Sequence, residues 1–129
     1  MAMTTTWGSP LIIQQFANQG GAATATVTST LTRPVIVSDC MAFVRTASGA
    51  LSSVNISVAN AAAAITTTAM VQTTANTALE VMRAVDLSNA NWSVSTGGTI
   101  VSTISQTGGA GTSGTAMVNI TCMAGPTEG

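Results

Sequence analysis

The sequence contains no histidine, no lysine and no tyrosine, and it has three arginines and four carboxylates in 129 residues. Each absence removes chemistry. Without histidine there is no Ser-His-Asp or Cys-His nucleophile system and no imidazole metal ligand. Without lysine there is no Walker-type phosphate loop and no Schiff-base catalyst. Arg33, Arg45 and Arg83 are scattered, and they fall short of the roughly six to ten phosphate contacts behind typical nucleic-acid affinity. Nucleic acid is therefore not an expected partner.

The carboxylates offer little more. Glu80 and Asp86 flank Arg83 and share a strand parity six residues apart, roughly 20 Å on an extended chain. A glycosidase pair needs about 5–9.5 Å. The expectation is no catalytic residue, no cofactor and no metal. Cys40 and Cys122 form no CxxC pair and read as small buried hydrophobes kept as thiols in a reducing compartment. Asn55-Ile56-Ser57, Asn91-Trp92-Ser93 and Asn119-Ile120-Thr121 fit the glycosylation sequon, but such matches arise by chance in so hydroxyl-rich a chain. The N-terminus lacks the basic region of a signal peptide, and no run of about 18 apolar residues marks a helical membrane span.

What is present is hydrophobic residue (46%) set among Ser and Thr, with 5% charged residues and a net charge of −1. Soluble domains carry about 25% charge. So little charge gives almost no repulsion between copies, which suits a subunit packed many times against itself.

The apolar pattern has period two over most of the chain. Ala23, Ala25, Val27, Ser29 and Leu31 alternate with Thr24, Thr26, Thr28, Thr30 and Thr32. This threonine row resembles the arrays of ice-binding proteins, but those repeat on neighbouring strands and this one occurs once in the sequence. VIVSDCMAFVRT is apolar on both faces around Asp39, which predicts a strand buried on both sides. Val54, Ile56 and Val58 share a face, as do Ile100 and Ile104, and Ala116, Val118, Ile120 and Cys122 point inward. The segment NAAAAITTTAMVQTTANT is compatible with a short helix or with a loop and strand. ALEVMRAVDL is read as a strand, and GGAGTSG at 108–114 as a hairpin loop. Six to eight short strands imply an all-β fold, an antiparallel β-sandwich or jelly roll.

Residues 1–21 differ from residues 22–129, the expected β-sandwich domain. Ser9 as N-cap, Pro10 at N1 and Gly20-Gly21 as a stop frame a short helix or an extended arm. Its apolar residues Trp7, Leu11, Ile12, Ile13 and Phe16 are the candidate assembly interface where the segment reaches a neighbouring subunit; the alternative reading folds the segment onto its own core. Removing residues 1–18 is expected to leave the β-domain folded and to weaken assembly.

The stretch from Arg33 to Cys122 contains RPVIVSDCMAFVRTASGA, VNISVAN, the GGTIVSTISQT strand, a glycine-rich connection and a terminal MVNITCMA strand. It resembles the small jelly-roll decoration, or cement, proteins of tailed-bacteriophage heads. The resemblance implies a structural virion protein: a homotrimer on the outer capsid surface, bridging the major capsid protein and assembled in the host cytoplasm. A head-fibre or tail-fibre module shares this strand rhythm. A pilin-like adhesion subunit, a different class, shares the Ala/Thr/Gly/Val composition.

Overall fold

A computed structural model of the chain describes residues 11–18, 24–48, 51–72, 81–108 and 113–124. They form ten strands: β1 (Leu11–Asn18), β2 (Thr24–Thr30), β3 (Val35–Ser48), β4 (Leu51–Asn60), β5 (Ala63–Ala64), β6 (Met70–Gln72), β7 (Val81–Arg83), β8 (Ser93–Val94), β9 (Thr99–Gly108) and β10 (Ser113–Ala124). The first sheet has the order β1-β10-β3-β7, with β8 also on β3. The second has the order β2-β9-β4-β5, with β6 also on β4. Every pairing is antiparallel.

This order is that of a jelly roll. With β5/β6 and β7/β8 each counted as one broken strand, eight strand positions remain. They pair first with eighth, second with seventh, third with sixth and fourth with fifth, as when one long hairpin is rolled into two facing sheets. The fold is an all-β sandwich of jelly-roll order, and among the described residues there is no helix.

Between the sheets lies one core of Val35, Val37, Cys40, Ala42, Val54, Ile56, Val58, Ile65, Val94, Ile100, Ile104, Val118, Ile120 and Cys122, with others at its margin. The predicted faces of β2, β4, β9 and β10 appear as expected. Val54, Ile56, Val58, Ile100, Ile104, Ala116, Val118, Ile120 and Cys122 are buried, and Thr24, Thr26, Thr28 and Thr30 are exposed.

Four expectations need correction. Leu11–Asn18 is a strand and not a helix or a free arm, because it pairs along its whole length with β10 of its own subunit. Leu11 and Ile13 pack against the core, and the inward position between them and the sheet's end is Gln15, a polar residue that broke the apolar alternation. Deleting residues 1–18 would therefore strip an edge strand from the sandwich. β3 buries one face only; Ile36, Met41 and Phe43 lie on the outer side of the sheet. The stretch at 108–114 joins β9 in one sheet to β10 in the other, so it is a crossover between sheets and not a hairpin; residues 109–112 lie outside the described residues. Of ALEVMRAVDL, the strand is Val81–Arg83, and residues 78–80 lie outside the described residues.

The two side edges of the sandwich are held differently. On the β5–β8 side the sheets are stitched through the backbone: Ser88 N–H donates to Ile65 O at 2.7 Å, Thr67 N–H donates to Asp86 O at 3.3 Å, and Thr66 bridges Leu87. Asn91 adds Nδ2 to Ala64 O at 2.8 Å. On the β1–β2 side the link is Gln15, whose Nε2 donates to Ser29 Oγ and to Ile100 O, each at 3.0 Å, while its Oε1 accepts from Ser102 Oγ. At one end the turn before β9 docks on the β2–β3 loop, with Leu31 N–H donating to Gly98 O and Gly97 N–H donating to Leu31 O. Gly97 has φ +81°, and a Cβ on Gly98 would meet Ser95 O and Val94 Cγ1 at 2.9 Å, so both positions require glycine.

Candidate interaction faces

A sandwich whose inner faces make the core presents two outer faces, and here they differ in chemistry. On the first sheet, register sets Phe16, Met117, Phe43 and Val81 side by side on β1, β10, β3 and β7, a row from one edge of the sheet to the other. Both phenylalanines of the chain are in this row. The next row is Gln14, Asn119, Met41 and Arg83, and beyond it come Ile12, Thr121 and Asp39. A bulge between Thr121 and Cys122 interrupts the ladder, after which Met123 sits beside Ile36. Ile12 is 58% exposed, Phe16 55% and Val81 62%. With strands about 4.8 Å apart and a rise of about 3.3 Å per residue, the face projects roughly 400 Å². Only part of it is apolar, because Gln14, Asn119, Arg83, Thr121 and Asp39 share it.

Among the described side chains of this face, Arg83 and Asp39 are paired. Arg83 Nε lies 3.3 Å from Asp39 Oδ2, and an Arg83 terminal nitrogen lies 3.0 Å from Met41 Sδ. The pair is largely solvated, so it contributes at most about 1 kcal/mol. In the middle, Asn119 Oδ1 is a buried acceptor with no hydrogen-bond donor.

The second sheet's outer face is hydroxyl-rich. Thr24, Thr26, Thr28 and Thr30 on β2 lie beside Ser105, Thr103, Val101 and Thr99 on β9. Asn55, Ser57 and Ala59 of β4 follow in register. The threonine row thus has hydroxyl neighbours on the adjacent strands, where the linear sequence showed it once. No charged side chain occurs in these rows.

The five candidate interface residues do not form one surface. Ile12 and Phe16 stand on the outer face of the first sheet, Leu11 and Ile13 turn inward against the core, and Trp7 lies outside the described residues. Sequence reading missed Phe43, Met117, Met41 and Val81. They belong to strands distant along the chain, and only register brings them together. Leu11 and Ile13, with Leu31, Val35, Ser29, Thr30, Thr32 and Arg33, line a cavity of about 300 Å³ at the start of β1.

The thiols are deep in the sandwich. Burial pushes Cys40 up to about 12, with the negative charge of Asp39 and then Cys122 adding to the shift; burial alone raises Cys122 to about 11. Both are free and buried, hence poor nucleophiles. Among the described residues no group of His, Cys, Asp and Glu could hold a metal ion.

No family model and no curated protein matches the sequence. Solved structures that resemble the fold include one of turnip yellow mosaic virus, at 11% identity and TM-score 0.41, covering 100% of this chain and 88% of the other. Another is the infectious bursal disease virus VP2 subviral particle, at 11% identity and TM-score 0.41, over 96% of this chain and 39% of the other. A third is an α-amino acid ester hydrolase, at 9% identity and TM-score 0.39, over 81% of this chain and 25% of the other. At TM-scores of 0.41 and below, these likenesses assign this chain no activity.

Proposed function

We propose that this chain is a non-catalytic structural subunit of a virus particle. It decorates the outside of a bacteriophage head as a homotrimer that contacts the major capsid protein. The observation that supports this most is the outer face of the first sheet, where an apolar row runs edge to edge across four strands. Such a face is built for protein contact. The scarcity of charge and the jelly-roll order, recurrent in capsid and lectin domains, point the same way. A filled head is under outward load, and a trimeric clamp across subunit boundaries makes its second and third contacts intramolecular.

The test is gold-labelled antibody against the purified chain, applied to intact particles from a producing culture and viewed by electron microscopy. Label spread over the head surface is expected. Label confined to tails or fibres, or absent from particles, would overturn the decoration role. Where label is found, particles stripped of the chain should release their genomes at lower temperature than re-decorated ones.

A further inference from the structure

We infer that a second copy of this chain adds edge to edge along β2, antiparallel and centred on Val27, so that the second sheet runs on from one copy into the next. The two sides of the sandwich leave their edges in different states. On the β5–β8 side the edge strands have two or three residues each, and backbone hydrogen bonds tie the sheets together across them. Such short, broken edges offer a neighbouring chain little to pair with. β2 is the reverse case. Its seven residues, TATVTST, pair with β9 in unbroken register on one side, and on the other side with no strand among the described residues. They include no charge, no proline and no bulge, the features that usually protect an edge. The inward residues Ala25, Val27 and Ser29 are only half-buried, although Ile104, Ser102 and Ile100, their partners on β9, are fully buried. A strand added beyond β2 would cover them.

A second copy is the occupant because the strand is its own complement. From either end it reads as Thr at 24, 26, 28 and 30, with Val27 at the centre and the small residues Ala25 and Ser29 between. A two-fold axis through Val27, normal to the sheet, sets Thr24 opposite Thr30, Thr26 opposite Thr28, Ala25 opposite Ser29 and Val27 opposite its own copy. Threonine pairs across strands are favourable. Because the centre falls on a residue and not between two, the inward side chains of both copies stay on the same side of the joined sheet. β1, the other long edge on this side, has no such symmetry in its sequence LIIQQFAN. An isologous contact closes on two copies. It therefore goes beyond the trimer proposed above and joins a copy in one oligomer to a copy in the next. Seven residues a side fall well short of the roughly 20–30 of a stable interface. The joint thus serves copies already held close together and opens in dilute solution.

The experiment uses the full-length chain in two forms, Thr26→Cys and Thr28→Cys, one of them carrying a mass tag. The native thiols are buried and remain protonated well above neutral pH, so the new thiols are the reactive ones. Far-ultraviolet circular dichroism checks that each form is folded. The two forms are mixed at high protein concentration and oxidised with copper phenanthroline, and the covalent pairs are separated by size on a denaturing gel. The mixed pair should exceed its statistical share several-fold, because positions 26 and 28 face each other in this register. Pairs of like forms should be scarce, and Ser57→Cys, in the middle of the same sheet, should give none. Mixed and like pairs in statistical proportion would mean random collision and overturn the inference, as would folded forms that give no pairs at all. In light scattering of the concentrated protein, Thr26→Lys combined with Thr28→Lys sets like charges opposite and should remove the pairing. Mixing that variant with Thr26→Glu combined with Thr28→Glu should restore it; failure of the mixture to pair would contradict the register. A chain found to be monomeric in dilute solution would overturn the trimer and leave this result standing.

Discussion

Gln15 is the residue on which the sandwich's open edge depends. A glutamine that is 2% exposed survives in the core because all three of its polar contacts are made, to Ser29, Ile100 and Ser102. Gln15→Leu should lower unfolding free energy by about 1–3 kcal/mol, because it leaves the buried Ser102 hydroxyl without its acceptor. Adding Ser102→Ala should restore much of that loss, since removing both partners is nearly neutral. Urea unfolding of the two single variants and the double variant measures the coupling, and simple additivity would mean that the pair does not act as a unit. Asn119 is the opposite case: its Oδ1 is buried and unmatched, so Asn119→Leu is expected to leave stability unchanged or raise it.

The cysteines give a pH dependence that little else in the chain can mask. With no Lys and no Tyr, few groups besides the two thiols titrate between pH 9 and 12. Their native values of about 12 and 11 lie above the ordinary 9.0, so at pH 10 the unfolded chain has released protons that the folded chain keeps. Stability is therefore full below about pH 9 and falls as pH rises, by up to about 1.4 kcal/mol per pH unit for each thiol. Unfolding midpoints from pH 8 to pH 11 should decline accordingly, and Cys40→Ala with Cys122→Ala should flatten the decline. A parent protein equally stable at pH 8 and pH 11 would contradict the burial of these groups.

At the scale of elements, β1 separates two roles that its sequence runs together. Its inner side, Leu11, Ile13 and Gln15, completes the sandwich, while its outer side, Ile12 and Phe16, supplies part of the apolar face. Removing residues 1–18 takes the eight residues paired with β10 and should abolish cooperative thermal unfolding. A truncation to residue 19 that melts as cooperatively as the parent would mean that β1 is dispensable.

The same strand shows where sequence reading succeeds and fails. β2, β4, β9 and β10 were legible because one face is buried and their alternation is clean. β1 was not, because its inward glutamine interrupts the apolar series and Ser9-Pro10 imitates a helix start. The outer face of β3 reads as core in sequence, since Ile36, Met41 and Phe43 are as apolar as the buried Val35, Val37 and Cys40. Hydrophobicity cannot distinguish a side chain covered by its own subunit from one awaiting another. The interaction face was legible only at Ile12 and Phe16, because its other members sit on β3, β7 and β10 and meet through register.

For the whole molecule, the two outer faces imply a polarity. The apolar face of the first sheet is suited to contact and the threonine face of the second to water. With seven formal charges in the chain, and Arg83 paired with Asp39, electrostatics should add little to the proposed association. Raising ionic strength until the Debye length is about 3 Å should therefore not dissociate the proposed oligomer. Phe16→Asp should act strongly at any salt concentration, because it places an unpaired charge in an apolar contact.

Sedimentation equilibrium of the purified chain and of Phe16→Asp, each in 0.1 M and 1 M salt, tests the central claim most directly. The account predicts a parent of three times the 12.8 kDa chain mass in both salts, and a folded variant at the mass of one chain. A parent that sediments as a 12.8 kDa monomer at high concentration, or a trimer that Phe16→Asp leaves untouched, would contradict it.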